Sequence, residues 1–382
     1  MSEESQHIRK VMVVTGTRAE FGLLRPVMFA IAERPDLQLH VVAAGSHMVQ
    51  PAVTFREVKA EFAISDSIPM QVAGKVGRLH DVEALGKGIA RFGRSYEMNE
   101  PDMVVVLGDR IEAFAAASAA SVGGVLLAHI HGGDRAEGVA DEAMRHAITK
   151  LAQMHFPATQ TSAERIIKMG EDPAHVHVVG SPAIDGLNTI NPLGDGAFAE
   201  LGSPEIVVLM HPIGRRDEAE AAAMQFVLDA VNDKRVLVLH PNLDPGRRGI
   251  MTAIERAPID VQVRPGMVRD QFVGLLKRIG AEGGALVGNS SAGLIEASAI
   301  GCPSVDIGDR QSGRERCEGW SELADESVES IRSALSQVID PDATRSPHPY
   351  GDGTSGDQIA AHIDRVLGES DTDGMLRKHC SY

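Results

Sequence analysis

The chain has 382 residues, of which 43% are apolar and 24% charged, and its formal net charge is −16. These values favour a globular protein of two domains, and the negative charge disfavours nucleic acid and anionic membranes as partners. The polar N-terminus and the absence of a long apolar run predict neither a signal peptide nor a membrane span. Three scattered cysteines favour a reducing, cytoplasmic location over a disulfide framework or a thiolate metal cluster.

The first half alternates short apolar runs with stretches of helical periodicity. The predicted strands are 11–16, 37–45, 103–108 and 125–130. The predicted helices are 21–35, 110–123 and 141–153. This rhythm indicates βαβ units, a parallel sheet and helices on both of its faces.

The segment between Pro182 and Glu205 is rich in Gly, Pro and Asn and lacks sustained periodicity, which predicts a connection between domains. Beyond it the rhythm restarts. The predicted strands are 205–211, 235–240, one near 260–263, 285–288 and 304–308, and the predicted helices are 217–231, 292–301 and 356–368.

The sequence therefore predicts an α/β protein of two doubly wound, Rossmann-like domains. We expect an N-terminal domain over 1–186, a linker over 187–204 and a C-terminal domain over 205–345. The segment 346–368 carries the last helix, and the polar tail 369–382 is predicted to be disordered. No repeat of fixed period is visible.

Glycines, arginines, histidines and acids follow the predicted strands. In the first half these segments are GTRAEFG (16–22), GDR (108–110) and HIHGGD (129–134). In the second half they are HP (211–212), HPN (240–242), GNSSAG (288–293) and GDRQSGRER (308–316). Ligands of doubly wound sheets bind at the carboxyl ends of the strands, so the predicted site is the cleft between the two domains.

The segment GNSSAGLIEA is the best candidate for phosphate binding. It joins a strand to a helix through small residues, so that backbone N–H groups and the hydroxyls of Ser290 and Ser291 can face an anion. Glu296 could accept hydrogen bonds from a ribose. For an isolated motif a simple serine cap is the more common explanation. Neither a Walker loop nor a GxGxxG turn is present, which disfavours ATP hydrolysis and nicotinamide chemistry.

The histidines of HIHGGD allow two explanations. His129 and His131 alternate on a strand and could both face a metal ion, but no spacing supplies a third and a fourth ligand. His129 could equally be a structural histidine with satisfied hydrogen bonds.

The acids near these histidines are also ambiguous one by one. Asp109 ends a strand, where an acid either caps a helix or acts in a site. Asp141 and Glu142 open a helix, where acids favour the helix dipole without any function. Arg145 could share a helix face with either of them.

Together these motifs resemble those of the UDP-N-acetylglucosamine 2-epimerases, and the hydrolysing branch most closely. The resemblance runs in the same order from about residue 10 to about residue 320. The non-hydrolysing branch typically has GTRPE at the first motif, a glutamate at the place of His131 and SGG where this chain has SSAG. The implied fold is the glycosyltransferase-B type, in which a C-terminal helix, here 356–368, crosses back to the first domain.

The resemblance also implies roles for the candidate residues. Proton transfer on the sugar would involve Asp109, His131 and Asp141, with His211, a further catalytic candidate, close to the diphosphate. Arg18, Ser290, Ser291 and Arg310 would hold UDP, and Glu296 the ribose. The other expected substrate-binding residues are Arg110, Glu142, Arg145 and Asn289.

The implied reaction releases UDP by elimination, passes through a 2-acetamidoglucal and adds water to give N-acetylmannosamine. It requires neither a metal nor a nicotinamide, so no cofactor is expected. We expect a UDP-sugar as the substrate and a homo-oligomer, a dimer or a tetramer. Four alternatives stay open: the non-hydrolysing epimerase, a hydrolysing epimerase for a diacetamido-trideoxy sugar, a glycosyltransferase on the same fold and a non-catalytic nucleotide-sugar sensor.

Overall fold

A computed structural model of the chain describes residues 8–50, 53–75, 77–135, 141–242, 244–258, 261–369 and 372–379. These residues divide into two compact units. The first contains the described residues up to Asp134, those from 141 to Asp185 and those from Gly351 onward, and the second contains Arg135 and residues Gly186 to Tyr350.

The first unit is built on a parallel sheet of six strands. They are β1 Arg9–Thr15, β2 Leu37–Ala44, β3 Ile64–Ile68, β4 Met103–Leu107, β5 Leu126–Ile130 and β6 Met154–Phe156. Their order in the sheet is β3-β2-β1-β4-β5-β6. The helices are α1 Arg18–Ala32, α2 Phe55–Glu61, α3 Arg78–Asn99, α4 Ile111–Gly123, α5 Asp141–Leu151 and α6 Gln160–Lys168.

The second unit repeats this plan. Its strands are β7 Ile206–Leu209, β8 Val236–Leu239, β9 Gln262–Arg264, β10 Ala285–Gly288, β11 Ser304–Ile307 and β12 Ser321–Ala324. Their order is β12-β11-β10-β7-β8-β9, and all pairs are parallel. The helices are α7 Asp195–Glu200, α8 Asp217–Ala230, α9 Arg247–Glu255, α10 Arg269–Ala281 and α11 Val328–Val338.

Both sheets have the strand order of a Rossmann fold, which confirms the predicted fold class of two doubly wound α/β domains. The order reverses between β1 and β4 in the first sheet and between β7 and β10 in the second. At such a switch point the two neighbouring connections leave towards opposite faces, and a crevice opens at the carboxyl ends of the strands. These two points are where a ligand is expected.

The central strands are apolar on both faces because helices cover both faces. All five residues of β4 are buried, as are the last five of β1. Alternate residues of these strands belong to two separate apolar clusters, one on each side of the sheet. The second sheet has the same two-sided core.

The last long helix, α12 Ser355–Glu369, packs in the core of the first unit. Ile359 and Ile363 are fully buried in the cluster that contains residues of α1. The carboxylate of Asp185 accepts hydrogen bonds from the backbone N–H groups of Ser355 and Gly356, at 3.1 and 2.6 Å, and so caps the helix.

Two segments are more ordered than the sequence suggested. The stretch predicted as a linker, 187–204, contains helix α7, whose Phe198 is buried in the second unit and lies 5.1 Å below the guanidinium of Arg278. The tail predicted to be disordered contains the short helix α13 Thr372–Leu376. Leu376 packs on the core of the first unit, and Lys378 forms an ion pair with the buried Glu171 at 2.6 Å. Apolar contacts and this ion pair therefore place the mainly polar segment against the first unit.

No helix among the described residues is both long and apolar enough to cross a bilayer.

Candidate active site

The switch point of the first sheet carries Arg18, Asp109 and Arg110. Arg18 opens α1 directly after Thr17, whose hydroxyl accepts from the backbone N–H of Glu20, and its guanidinium pairs with Glu57 at 3.0 Å. Arg110 is the N-cap residue of α4. Both arginines are more than a third exposed, so they can reach an anionic ligand.

Asp109 forms an ion pair with Arg145, which lies on α5 and is almost fully buried. The guanidinium of Arg145 also donates to the backbone carbonyl of Asp134 at 3.2 Å and lies 3.4 Å from the Glu142 carboxylate. A buried arginine with several acceptors has one orientation. Arg145 therefore holds the Asp109 carboxylate in place, which is a positioning role.

Glu142 and His146 occupy successive turns of α5. The carboxylate of Glu142 lies 3.1 Å from Nε2 of His146 and a quarter of its side chain is exposed. Asp141 is the first residue of α5, but its side chain lies outside the described residues. Its predicted part in proton transfer stays a prediction.

His131 is held by hydrogen bonds at both ring nitrogens. Nδ1 lies 3.2 Å from the carboxylate of Asp134, and Nε2 lies 2.9 Å from the hydroxyl of Ser181. The other carboxylate oxygen of Asp134 accepts from Ser162 at 2.8 Å. An ionised Asp134 can only accept, so Nδ1 carries a hydrogen and Nε2 of a neutral ring accepts from Ser181. Both ring nitrogens therefore have partners that fix the orientation of the imidazole, and the predicted part of His131 in proton transfer stays a prediction.

The backbone of His131 is unusual as well. Its φ is 61°, in the left-handed region that residues other than glycine rarely adopt. The side chain is only 7% exposed. Strained residues persist where their surroundings hold them, and they are concentrated at functional sites. The backbone of His131 therefore agrees with a role for this residue in a site.

His129 differs from His131 because its hydrogen bonds explain its presence without a functional role. Nε2 donates to the backbone carbonyl of Gly108 at 2.8 Å, and Nδ1 lies 3.1 Å from the hydroxyl of Thr149. Burial lowers the pKa of His129 to about 3, so the ring is neutral. The structural explanation of His129 accounts for every contact that it makes. Among the described residues, no cluster of three His, Cys, Asp or Glu side chains could hold a metal ion.

The switch point of the second sheet carries His211 after β7 and Asn289 after β10. The side-chain amide of Asn289 pairs with the main chain of His211: it accepts from the N–H at 2.7 Å and donates to the C=O at 2.8 Å. The predicted substrate residue Asn289 thus primarily links the ends of two strands. Its backbone carbonyl accepts from Arg310 at 3.1 Å and from Gln311 at 3.0 Å.

The tautomer of His211 follows from its neighbours. Its Nδ1 accepts a hydrogen bond from the backbone N–H of Asn242 at 3.1 Å. The neutral ring must then carry its hydrogen on Nε2. Burial first, and then the charge of Arg310, lower the pKa of His211 to about 3. His211 therefore presents a neutral N–H donor, which suits a phosphate oxygen better than it suits proton transfer.

Ser290 and Ser291 lie where β10 turns into the next helix. The Ser290 hydroxyl is 3.4 Å from the N–H of Ala292, so it acts in part as the serine cap that the sequence allowed. The helix continues as a π-helical turn over Gly293–Ala297, which includes Glu296. Such turns often occur at functional sites because they change the direction of side chains.

Four contributors were missed by the sequence analysis. Ser181 and Asp134 hold His131, and Gln311 supports Asn289. Glu112 is fully buried two residues after Arg110. Asp134 and Gln311 belong to the segments HIHGGD and GDRQSGRER noted above, whereas Ser181 lies 50 residues from its partner His131.

Comparison with known proteins places this geometry in a family. The family model of UDP-N-acetylglucosamine 2-epimerase matches residues 29–364. A Legionella pneumophila protein named UDP-N,N'-diacetylbacillosamine 2-epimerase (hydrolyzing) is 31% identical over 92% of this chain and 94% of its own. A Neisseria meningitidis UDP-N-acetylglucosamine 2-epimerase is 32% identical over 80% of this chain and 81% of its own.

The chain belongs to the UDP-N-acetylglucosamine 2-epimerase family. This confirms the predicted family. An S. aureus protein, MnaA, described as a co-structure with UDP, has the same fold: the TM-score is 0.79 at 20% identity, over 94% of this chain and 97% of that one. The glycosyltransferase-B-type fold expected from the motifs is thus the fold of this epimerase family.

Proposed function

We propose that this epimerase is a hydrolysing one, which converts UDP-N-acetylglucosamine and water into N-acetylmannosamine and UDP. One observation carries the proposal: the carboxyl ends of the two sheets carry complementary chemistry. Those of the first sheet present a fixed carboxylate and a fixed imidazole, and those of the second present N–H, hydroxyl and guanidinium donors. A base and an anion site are the two requirements of an elimination from a nucleotide sugar.

The donors of the second unit are assigned to the leaving group. The Nε2–H of His211, the hydroxyls of Ser290 and Ser291 and the guanidinium of Arg310 would bind the diphosphate, and Glu296 would accept from the ribose. Charge develops on the diphosphate as the C1–O bond breaks. Donors already fixed in place, as His211 is by Asn242 and Asn289, stabilise that charge without reorganisation.

The first unit is assigned to proton transfer. The proton on C2 becomes acidic only as positive charge grows on C1, so a base must lie beside C2 when the bond to UDP breaks. Asp109, His131 and Asp141 are the candidates, and Arg145 orients Asp109. A positioned acid or base typically contributes about 10²–10⁴-fold to the rate.

The proposed reaction has two steps, an elimination and an addition. Loss of the C2 proton and of UDP from C1 gives 2-acetamidoglucal. Water then adds its oxygen to C1, and a proton returns to C2 on the opposite face, which inverts that centre. Arg18 and Arg110, both accessible at the first switch point, are proposed to bind the anionic substrate, and Glu142 to bind the sugar.

Hydrolysis is favoured by the motifs and by one relative. This chain has His131, GTRAE and SSAG where the non-hydrolysing branch typically has glutamate, GTRPE and SGG. The Legionella relative carries the word hydrolyzing in its name. The same relative supports a second candidate, a hydrolysing epimerase for a UDP-linked diacetamido-trideoxy sugar.

Product analysis in deuterated water tests both candidates. The enzyme is incubated with UDP-N-acetylglucosamine and, separately, with UDP-N,N'-diacetylbacillosamine, and ¹H NMR identifies the sugar. Free N-acetylmannosamine with deuterium at C2, formed together with UDP, is the expected result. UDP-N-acetylmannosamine would show the non-hydrolysing reaction instead, and turnover of the second substrate alone would establish the second candidate.

A further inference from the structure

Two glutamates lie buried at the switch point of the first sheet, next to the candidate residues but outside the roles assigned so far. Glu20 is on α1, two residues after Arg18, and Glu112 is in the first turn of α4, two residues after Arg110. Glu20 is 5% exposed and Glu112 is fully buried. Buried carboxyl groups need partners, because the burial of an unpaired charge is costly.

Glu112 has the partners of an ionised carboxylate. Its Oε1 accepts from the hydroxyl of Ser46 at 3.0 Å, from the backbone N–H of Ser46 at 3.3 Å and from the amide of Gln71 at 2.6 Å. Its Oε2 lies 3.7 Å from Nε of Arg110. These contacts join α4 to the segments that follow β2 and β3.

Two glycines make room for this side chain. A Cβ atom at Gly16 would lie 2.6 Å from Cβ of Glu112, and one at Gly45 would lie 2.5 Å from its Cγ. Gly16 and Gly45 follow β1 and β2 directly. Glu112 thus sits against the ends of two strands and cannot move without displacing the segment that begins with Gly16 and carries Arg18.

Glu20 has fewer partners than Glu112. Its Oε2 accepts from the backbone N–H of Gly16 at 2.7 Å. Among the described residues, Oε1 of Glu20 and Oε2 of Glu112 are buried and have no hydrogen-bond partner. Two ionised carboxylates in one buried region would repel each other, and one proton removes that repulsion.

We propose that Glu20 keeps its proton at neutral pH beside an ionised Glu112, and that this pair positions the segments after β1 and β4 for the proposed reaction. The segments carry Arg18, Asp109 and Arg110, so the inference rests on the proposed function for its catalytic part. Neither glutamate is assigned contact with substrate. Both are positioning residues.

The charges around the pair agree with this assignment. Burial raises the pKa of Glu20 to about 8, and the negative charge of Glu112 acts in the same direction. The N–H of Gly16, the charge of Arg110 and the N–H of Thr17 act against them. On the side of β2, His47 is buried between the hydroxyls of Thr15 and Thr54, and burial lowers its pKa to about 4, so it brings no positive charge.

The raised pKa of Glu20 determines how the unfolding free energy changes with pH. Between the ordinary pKa of 4.5 and about 8, the folded chain holds a proton on Glu20 that the unfolded chain has lost. The contribution of Glu20 to the unfolding free energy therefore falls as the pH rises through that window. Above about pH 8 we expect Glu20 to be charged as well, and its repulsion by Glu112 should weaken the packing of the two segments.

The test compares the full-length wild type with Glu20→Gln, Glu20→Ala and Glu112→Gln. Glu33→Gln, at the exposed C-cap of α1, is the control. Thermal unfolding without substrate is measured from pH 5.5 to 9. The Tm of wild type and of the control should fall as the pH rises. The Tm of Glu20→Gln should change much less over the same pH range. Glu112→Gln, which removes the repelling charge, should show a smaller fall than wild type.

Activity supplies the second readout. Wild-type kcat should fall roughly tenfold from pH 7 to pH 9, one unit above the titration of Glu20, and this fall should be absent in Glu20→Gln. Glu20→Ala should lose activity at every pH, so that glutamine rescues what alanine removes. Parallel Tm profiles of wild type and Glu20→Gln would overturn the inference. Because the Tm measurement needs no substrate, it gives the same answer if the proposed reaction is not observed.

Discussion

At the scale of single residues, the partners of each histidine separate three side chains that the sequence cannot distinguish. His129 donates to a backbone carbonyl and is neutral, so it supports the strand end. His131 lies between a carboxylate and a hydroxyl, which fix the orientation of its ring. His211 is fixed as a neutral donor by a backbone N–H at its Nδ1. What each histidine can do therefore depends on which of its ring nitrogens already has a hydrogen-bond partner.

The neutral state of His211 leads to a prediction about nucleotide binding. A histidine of ordinary pKa would bind a diphosphate more tightly as the pH falls below about 6.5. Because His211 stays neutral down to about pH 3, its contribution should not change over this range. The Kd of UDP, measured by calorimetry at pH 5.5, 7 and 8.5, should be raised in His211→Gln by the same factor at each pH. A factor that grows towards low pH would show that the ring becomes charged.

Asp109 allows a prediction about the catalytic step. Asp109→Asn preserves the shape of the side chain but removes the charge that faces Arg145. Turnover should fall by about 10²–10⁴, the usual contribution of a positioned acid or base, while the Kd of UDP stays within about twofold. Steady-state kinetics and calorimetry measure the two quantities. Asp102→Asn, at a partly exposed position that pairs with Arg9, is the control for loss of a carboxylate elsewhere. Equal losses of binding and turnover would contradict the assignment.

At the scale of elements, the apolar strands were predictable and the mixed ones were not. The central strands β1, β4, β7 and β10 lie within one or two residues of the predicted runs. Strand β3 was missed because its sequence, ISDSI, alternates with polar residues at the edge of the sheet. Strand β6 has three residues, too few to show a period.

The residues of the candidate site also divide into those that the sequence predicts and those that it does not. Positions at strand ends, such as Asp109 and His211, could be predicted because parallel strands bring their ends to one edge. Their supports could not, because contacts made across the fold are invisible in local sequence. Ser181, the partner of His131, lies 50 residues further along the chain. Glu112 resembles any acid in the first turn of a helix until its burial is known.

The turn between β10 and the following helix is the element assigned to the diphosphate, and a double variant tests it. Ser290→Ala with Ser291→Ala removes two hydroxyl donors, and hydrogen bonds to charged groups contribute about 1.5–3 kcal/mol each. The Kd of UDP should therefore rise at least tenfold while the Tm changes little. Ser336→Ala, exposed on α11, is the matched control. Unchanged affinity in the double variant would place the phosphate elsewhere.

At the scale of the whole molecule, the first unit is not continuous in sequence. Residues from Gly351 onward belong to it although all of the second unit precedes them. Helix α12 packs against α1. Gly356 lies so close to α1 that a Cβ atom on Gly356 would be 2.8 Å from the backbone carbonyl of Pro26. The complete core of the first unit therefore contains residues that follow the second unit in sequence.

This discontinuity predicts different effects for two truncations. A chain that ends at residue 350 loses α12 and leaves the apolar surface of α1 uncovered, including contacts of the buried Ile359, Ile363 and Leu367. Burial of one such side chain contributes about 1.5–3 kcal/mol, so losing three of them removes much of the ~5–15 kcal/mol that stabilises a domain. We expect this chain to lose the cooperative unfolding of the first unit. A chain that ends at 369 keeps α12 and should retain that transition at a Tm lowered by a few degrees, since it loses the pairing of Lys378 with Glu171. Scanning calorimetry compares the two with the full chain, and a cooperative first-unit transition in the shorter one would show that α12 is dispensable for this core.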